Sequence, residues 1–397
     1  MSTLDVQRVT GVIELDVPVL TSINAAFNTA NSALPNTSGA TFAGNLTITG
    51  NVTVSSNTIS VGGNNISPVQ SFRNKVINGN FDYWQRGTSN TSIGNAQYLA
   101  DRWVTYRTGS TANVSRQAFT LGQTDVPNEP TYFHRTIVSS VAGSGNRCDI
   151  DHYVESVKTL AGQTATLSFW AKADSNKNIA VEFQQYFGTG GSPSTKIDGI
   201  GVTTCALTTS WQKFTTTVNL PSISGKTLGT DNNDLLGIYF WFDAGSNFNS
   251  RTNSLGQQSG TFDIAQVQLE AGSVATPFEM RPLGVELALC QRYYEKSYDV
   301  TTPPGSITTP FNGSVWLAAD TVSIGTTLLF RVIKRASPTI IVYNPTTGVS
   351  GKVRDSTNAA DVTATATDIS TSGFGRCTGT FVSARMYSCS WTASAEL

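Results

Sequence analysis

Apolar residues near the N-terminus recur at alternating spacings of three and four positions. They form an a/d seam of about two heptads, carried by Leu20, Ile23, Phe27, Ala30 and Leu34. Two heptads are too short for a stable isolated helix, so the pattern predicts a short helix that associates with identical chains. An amphipathic helix packed on its own domain is the alternative.

A repeat of short alternating segments follows this seam. Its three copies read GNLTIT from Gly44, GNVTVS from Gly50 and NTISVG from Asn57, with Gly-Asn at the corners. Strict alternation of apolar and polar positions is typical of β-strands. Strands this short cannot bury an apolar face within one chain. The repeat therefore predicts a β-stalk in which three chains wrap around a common axis.

Beyond residue 72 the apolar alternation runs over longer segments, separated by clusters of Gly, Asn and Pro. The predicted strands are residues 102–106, 132–138, 166–171, 181–187, 213–218, 236–242 and 261–269. Short strands at regular intervals without helices between them indicate a β-sandwich or jelly roll. A helix is predicted at residues 285–296, and further strands at 328–333 and 339–343.

These patterns divide the chain into four segments of an all-β fibre. Residues 1–39 form an N-terminal attachment segment with the helix, and residues 40–71 form the stalk. Residues 72–298 form the jelly roll with its terminal helix, and residues 299–397 form a small C-terminal β-domain.

Composition narrows the classes of function. The 397 residues have a formal net charge of -1, with only 13% charged residues. Nucleic-acid binders need clustered positive charge, so no nucleic-acid partner is expected. No apolar run approaches the length needed to span a bilayer, and no secretory signal is visible, so no membrane insertion is expected. The five cysteines are widely spaced and predict buried free thiols.

Several distinctive strings lie between residue 72 and the C-terminus. They include NGNFDYWQRGTS from Asn78, ADRW from Ala100, TLSFWAKA from Thr166, FDIAQVQLEAGSVATPFE from Phe262 and CQRYYEKS from Cys290. Together they resemble the body of phage tail-fibre or tail-appendage proteins, which is similar in turn to jelly-roll carbohydrate-binding modules. The strings RASPTIIVYNP from Arg335 and WTASAEL from Trp391 resemble the C-terminal domain that often follows in such proteins.

This resemblance implies a trimeric structural protein of the virion, assembled in the host cytoplasm. Its N-terminal segment would hold a phage tail protein, and its body and tip would bind a glycan of the host surface. The expected function is attachment without chemistry, so no enzyme activity is expected. A tail depolymerase that cleaves host polysaccharide and a non-binding structural spacer of the tail are the alternatives.

Three predicted strands alternate buried apolar residues with amphipathic ones suited to a sugar. A sugar offers a C–H face to aromatic rings and hydroxyls to amides and carboxylates. If these strands share a sheet, one face carries Trp170, Lys172, Glu182, Gln184, Tyr186, Tyr239 and Trp241. A face packed on a neighbouring subunit or domain is the alternative.

Two further groups of polar residues are candidates for chemistry. The resemblance implies a structural calcium ion held by Asp82 in NGNFD and Asp263 in TFDIAQ, although Asp82 could equally cap a turn. The stretch CDIDHYVES brings together Asp149, Asp151, His152 and Glu155. The spacing of the two aspartates is that of a strand, so solvated strand polarity is expected rather than acid–base catalysis.

Overall fold

The computed structural model describes residues 59–61, 64–66, 72–307, 313–325 and 327–397. The chain forms two compact units, residues 1–68 and 69–397. In the first, β1 (Ile59–Val61) pairs antiparallel with β2 (Asn64–Ile66). The predicted helical seam and the first two repeats lie outside the described residues, so the helix and the three-chain stalk stay predictions.

The second unit begins with a β-sandwich of two six-stranded antiparallel sheets. We call the first the front sheet. In chain order its strands are β4 (Gln97–Tyr98), β5 (Trp103–Thr108), β8 (Arg147–Glu155), β10 (Lys177–Tyr186), β11 (Ile197–Leu207) and β13 (Leu235–Ala244). Side by side in the sheet they lie in the order β11-β10-β13-β8-β5-β4.

We call the second the back sheet. Its strands are β3 (Ser89–Asn90), β6 (Thr111–Ala118), β7 (Tyr132–Ser139), β9 (Thr164–Ala173), β12 (Gln212–Asn219) and β14 (Gly260–Ala271). Side by side in the sheet they lie in the order β12-β9-β14-β7-β6-β3. The sandwich and its seven predicted strands are therefore confirmed, with strand ends that differ from the prediction by up to four residues.

The core of the sandwich lies between the two sheets and is rich in aromatic rings. Phe169 of β9 meets Phe240 of β13 edge to face, with ring centroids 5.0 Å apart, and both side chains are fully buried. Trp103 of β5 packs on the same Phe240 ring at 5.9 Å. Edge-to-face pairs add about 0.5–1.5 kcal/mol beyond the burial of their area, so the Phe169–Phe240 pair stabilises the packing of the two sheets.

Helices are few among the described residues. A 3-10 turn (Ser246–Phe248) leads into the short helix α1 (Asn249–Thr252), and α2 spans Leu283–Gln291. Neither α-helix is long and apolar enough to cross a membrane. The predicted helix at 285–296 is wrong in its second half, because Tyr294–Lys296 is a strand, β15. There Tyr294 pairs with Ser394, so pairing with the C-terminal sheet overrides the helical pattern.

Among the described residues, the C-terminal sheet has nine strands. After β15 come β16 (Ser314–Leu317), β17 (Ser323–Ile324), β18 (Leu328–Leu329), β19 (Thr339–Tyr343), β20 (Lys352–Asp355), β21 (Ala360–Ile369), β22 (Gly373–Gly379) and β23 (Met386–Ser394). The strand predicted at 339–343 is confirmed. The strand predicted at 328–333 stops at Leu329, because the amides of Arg331 and Val332 donate to the Glu295 carboxylate instead of a neighbouring strand.

All five cysteines are buried and free, as predicted. Cys148 and Cys205 lie in the sandwich core, while Cys377 and Cys389 lie in the core of the C-terminal domain. Burial raises the pKa of the Cys205 thiol to about 11 and that of Cys377 to about 12. These thiols are therefore packing groups, since the thiolate is the reactive form of cysteine.

Candidate functional site

Five of the seven residues predicted to bind a sugar do share a face. Strands β10 and β13 are adjacent and antiparallel, with Glu182 opposite Tyr239 and Ala180 opposite Trp241. The alternate residues of both strands, such as Phe183 and Phe240, point into the core. The outer face of the front sheet therefore carries Glu182, Gln184, Tyr186, Tyr239 and Trp241.

The expectation that Trp170 and Lys172 join this face is wrong. Both lie on β9, which belongs to the back sheet. Lys172 lies 3.9 Å from Asp263 and 5.1 Å from the ring of Trp211, on the outer face of that sheet. Alternation tells which residues point outward along a strand, but it does not tell which sheet receives the strand. The turn from β9 to β10 crosses from one sheet to the other.

Trp241 lies beneath the outer face instead of forming an open platform. Its side chain is fully buried, and the ring of Phe248 covers it at a centroid distance of 5.1 Å. Its indole Nε1 donates to Glu182 Oε1 at 3.2 Å. Glu182 also accepts from the Gly199 amide at 2.7 Å and from Arg251 Nε at 2.7 Å. Glu182 and Trp241 therefore support the site without facing a ligand.

Above this layer lies a groove of about 400 Å³. It is lined by four tyrosines, two arginines, a lysine, one amide, one carboxyl group and two leucines. These residues are Tyr106, Arg147, Asp151, Tyr153, Gln184, Tyr186, Lys196, Leu235, Tyr239, Arg251 and Leu397. This mixture of aromatic faces and planar hydrogen-bonding groups suits a polyhydroxylated ring. We refer to it as the tyrosine groove.

The floor of the tyrosine groove depends on a glycine in β13. A Cβ atom on Gly237 would lie 2.7 Å from Cε2 of Tyr239, so the ring occupies the space that a side chain would need. The Tyr239 hydroxyl donates to Gln184 Oε1 at 2.8 Å. The Gln184 amide nitrogen donates in turn to Asp198. These bonds fix the orientation of both polar groups before any ligand arrives.

Sequence reasoning missed much of the tyrosine groove. Tyr153 and Asp151 share the outward parity of β8, and Tyr106 faces outward on β5 opposite Asp149. The alternation along these two strands could have shown that Tyr106, Asp151 and Tyr153 point outward. Arg251 and Leu397 could not have been found in this way, because they come from helix α1 and from the chain beyond β23, which only the tertiary fold brings to the groove.

The aspartates of β8 are buried and not solvated, so that expectation is wrong. Asp149 and Asp151 are fully buried, and Arg147 Nε lies 3.4 Å from the Asp149 carboxylate. Burial raises the pKa of Asp149 to about 6, and burial together with the Asp149 charge raises the pKa of Asp151 well above its usual value. Each carboxyl group therefore disfavours ionisation of the other, and the pair loses its protons in two steps.

The other two members of this stretch point elsewhere. His152 faces the core, where its ring packs on Trp103 at 5.0 Å and accepts a hydrogen bond from the Ile77 amide at 3.3 Å. Glu155 forms a bidentate pair with Arg292 at 2.6 and 2.8 Å. The four residues therefore form no common acid–base site.

The two aspartates expected to hold calcium have separate partners. Both oxygens of Asp263 accept from Arg135, at 2.7 and 2.8 Å. Asp82 accepts from the side chain of Asn80 and lines a small pocket. Among the described residues, no group of three or more His, Cys, Asp or Glu side chains could hold a metal ion. The geometry therefore does not fit the expected calcium site.

An arginine, Arg281, lines the same small pocket as Asp82. Arg281 donates to Glu286 at 2.9 Å and to the carbonyl of Val76 at 3.2 Å, and it lies 3.8 Å from Glu279. It also donates to the carbonyl of Asn74. Carboxylates and carbonyl oxygens are the groups that calcium would take. Here the Arg281 guanidinium already donates hydrogen bonds to such oxygen atoms.

No protein-family model and no curated protein matches the chain. Among solved structures, it is similar to the enzymatically active domain of tailspike protein 4 of bacteriophage CBA120, at 14% identity and a TM-score of 0.30. That alignment covers 51% of this chain and only 22% of the tailspike chain.

Carbohydrate-binding modules are similar at the same level. A family 11 module of Clostridium thermocellum aligns at 11% identity and a TM-score of 0.28, over 48% of this chain and 99% of the module. A xylan-binding domain of Paenibacillus barcinonensis aligns at 16% identity and a TM-score of 0.27, over 43% of this chain and 92% of the domain. These TM-scores are too low to support a shared function, so any functional proposal rests on the groove itself.

Proposed function

We propose that the protein binds a saccharide in the tyrosine groove. The observation that supports this most directly is the meeting of four tyrosine rings with fixed polar groups in one groove of about 400 Å³. Ligand sites are concave and combine apolar contact with a few placed polar groups. The hydrogen bonds of Gln184 and Tyr239 orient these groups in advance, which lowers the entropic cost of binding.

We further propose that this binding attaches a phage virion to a host surface glycan. The resemblance of the body and tip strings to phage tail-fibre proteins supports this role. The proposed assembly is a homotrimer held by the seam from Leu20 to Leu34 and attached to a tail protein by the N-terminal segment. Weak contacts in each of three grooves would add through avidity.

Binding without bond cleavage is the form we favour. The carboxyl group of Asp151 lines the groove but is fully buried, and that of Glu182 beneath the groove is paired with Arg251. A depolymerase would need two carboxyl groups that reach the scissile bond from both sides. Incubation with the polysaccharide of a susceptible host should release no new reducing ends. Their release would instead establish the depolymerase.

The groove is tested best at Tyr186, one of its half-buried tyrosines. Tyr186→Ala should weaken binding to host cells or purified glycan about tenfold, since loss of one stacking surface costs about 1.4 kcal/mol. Tyr132→Ala is the matched control, because Tyr132 is a half-buried tyrosine of the back sheet that contacts Arg116 instead of the groove. Equal binding by both variants would contradict the proposed site. Trp241→Ala is unsuitable, since a fully buried tryptophan supports the fold.

The assembly is tested by molar mass. Light scattering on the full chain should give three copies, and a chain that begins at Phe72 should give fewer. A monomeric full chain would exclude the proposed fibre and leave a free binding module. A trimer that binds no susceptible cell would favour the structural spacer.

A further inference from the structure

Residues 395–397 leave the C-terminal sheet and return to the sandwich. After β23 ends, the amide of Ala395 donates to the carbonyl of Tyr293 at 2.7 Å. A backbone carboxyl oxygen of Leu397 then accepts from the Tyr98 hydroxyl at 2.9 Å, and Leu397 lines the tyrosine groove. One wall of the groove therefore belongs to a different part of the chain from its floor.

Three arginines hold this segment in place. The Glu396 carboxylate pairs with Arg86 at 2.9 Å and with Arg102, whose side chain is fully buried. The Arg102 guanidinium stacks on the ring of Tyr293 at 3.5 Å. Arg335 donates to the carbonyls of Ala395 at 2.8 Å and Glu396 at 3.0 Å. These ion pairs and hydrogen bonds therefore fix the position of residues 395–397 beside the groove.

The two sides of the groove differ in chemistry. Tyr98, which holds Leu397, lies on β4 at one edge of the front sheet. Arg251, which pairs with Glu182, lies over β10 near the opposite edge, and Lys196 precedes β11 there. The wall of Arg251 and Lys196 can therefore bond to hydroxyls, whereas the side chain of Leu397 offers only hydrocarbon. A sugar hydroxyl that packs against hydrocarbon loses its hydrogen bond to water, which weakens binding. A methyl group in the same place is removed from water, which strengthens binding.

We propose that Leu397 is a specificity-determining residue of the groove and selects a sugar whose edge carries a methyl group. The methyl group belongs to either a 6-deoxy sugar or an N-acetylated sugar. This inference rests on the proposed saccharide function. Because Leu397 comes from beyond β23, the C-terminal domain then sets which glycan the sandwich binds.

The test compares sugars that differ only in the methyl-bearing group. One arm pairs fucose with galactose of the same configuration, and the other pairs N-acetylglucosamine with glucose, each on a glycan array and by titration. The wild type should prefer the methyl-bearing member of at least one pair by about fourfold, the value of one buried methylene group. The arm that shows the preference identifies the source of the methyl group.

The variant that decides the matter is Leu397→Asn, which keeps the size and removes the hydrocarbon. Its preference should fall to near one, while its melting temperature stays near that of the wild type. Leu329→Asn is the control, since Leu329 is a 70% exposed leucine of the C-terminal domain outside the groove. If Leu397→Asn does not fold, Leu397→Ala serves the same comparison.

The failures of the two proposals are distinguishable. An unchanged preference in the Leu397 variant, or no preference in a wild type that binds both sugars, overturns the role of Leu397 alone. If the wild type binds no sugar in any arm, the saccharide function itself fails and this inference fails with it.

Discussion

The ion pairs of Glu396 connect the C-terminal segment to the sandwich, and their removal gives the sharpest test of the fold. Glu396 faces two arginines, one of them with a fully buried side chain. Glu396→Gln keeps the shape but removes the charge, so Arg102 is left with the Tyr153 carbonyl and the ring of Tyr293. Loss of one partner from a buried ion pair costs about 3–5 kcal/mol. We expect the lower end, because the amide oxygen still accepts one hydrogen bond.

The measurement is the melting temperature of the full chain against a matched surface variant. Each kcal/mol lowers the melting temperature of a large domain by roughly 2–4 °C, so Glu396→Gln should lose roughly 6–12 °C. Asp368→Asn is the control, because Asp368 pairs with Arg376 at 2.6 Å while both side chains are 54% exposed. Exposed pairs contribute at most about 1 kcal/mol. Equal losses in the two variants would refute the argument that burial makes the Glu396 pairs important.

Three further predictions concern pH and metal. Burial lowers the pKa of His134 to about 3. Below pH 6.5 the unfolded chain therefore binds a proton at this histidine that the folded chain does not bind, so the free energy of unfolding falls on acidification. Between pH 6.5 and pH 4, His134→Asn should remove about 3 kcal/mol of the fall in the free energy of unfolding, measured by denaturant unfolding. The same pH dependence of this free energy in the variant and the wild type would contradict the prediction. The pKa of Asp149 is raised to about 6, so the folded chain holds a proton that the unfolded chain has lost above about pH 4. Stability from this group therefore falls as pH rises from 4 to 6, and Asp149→Asn should flatten that part of the profile, whereas an unchanged profile would place the proton elsewhere. Finally, EDTA should leave the melting temperature unchanged, since Asp263 is bound to Arg135; a drop that calcium reverses would restore the expected metal.

The strand pattern determined much of the fold from sequence alone. Alternation in segments such as 236–242 requires one buried and one outward face, whatever the neighbouring strand is. The all-β class, the sandwich and the buried cysteines followed from such local features. The outward positions of Gln184, Tyr186 and Tyr239 followed in the same way, which is why three lining residues of the groove were predicted.

Only the tertiary structure decided which strands are neighbours and which outward residues are covered. Trp170 and Trp241 have the same strand parity, yet one lies on the back sheet and the other lies beneath Phe248. Leu397 reaches the groove only because Glu396 meets arginines that lie about 300 positions away in the chain. Local propensity acts over a few residues, whereas sheet order and the packing of distant segments depend on the burial energy of the whole fold.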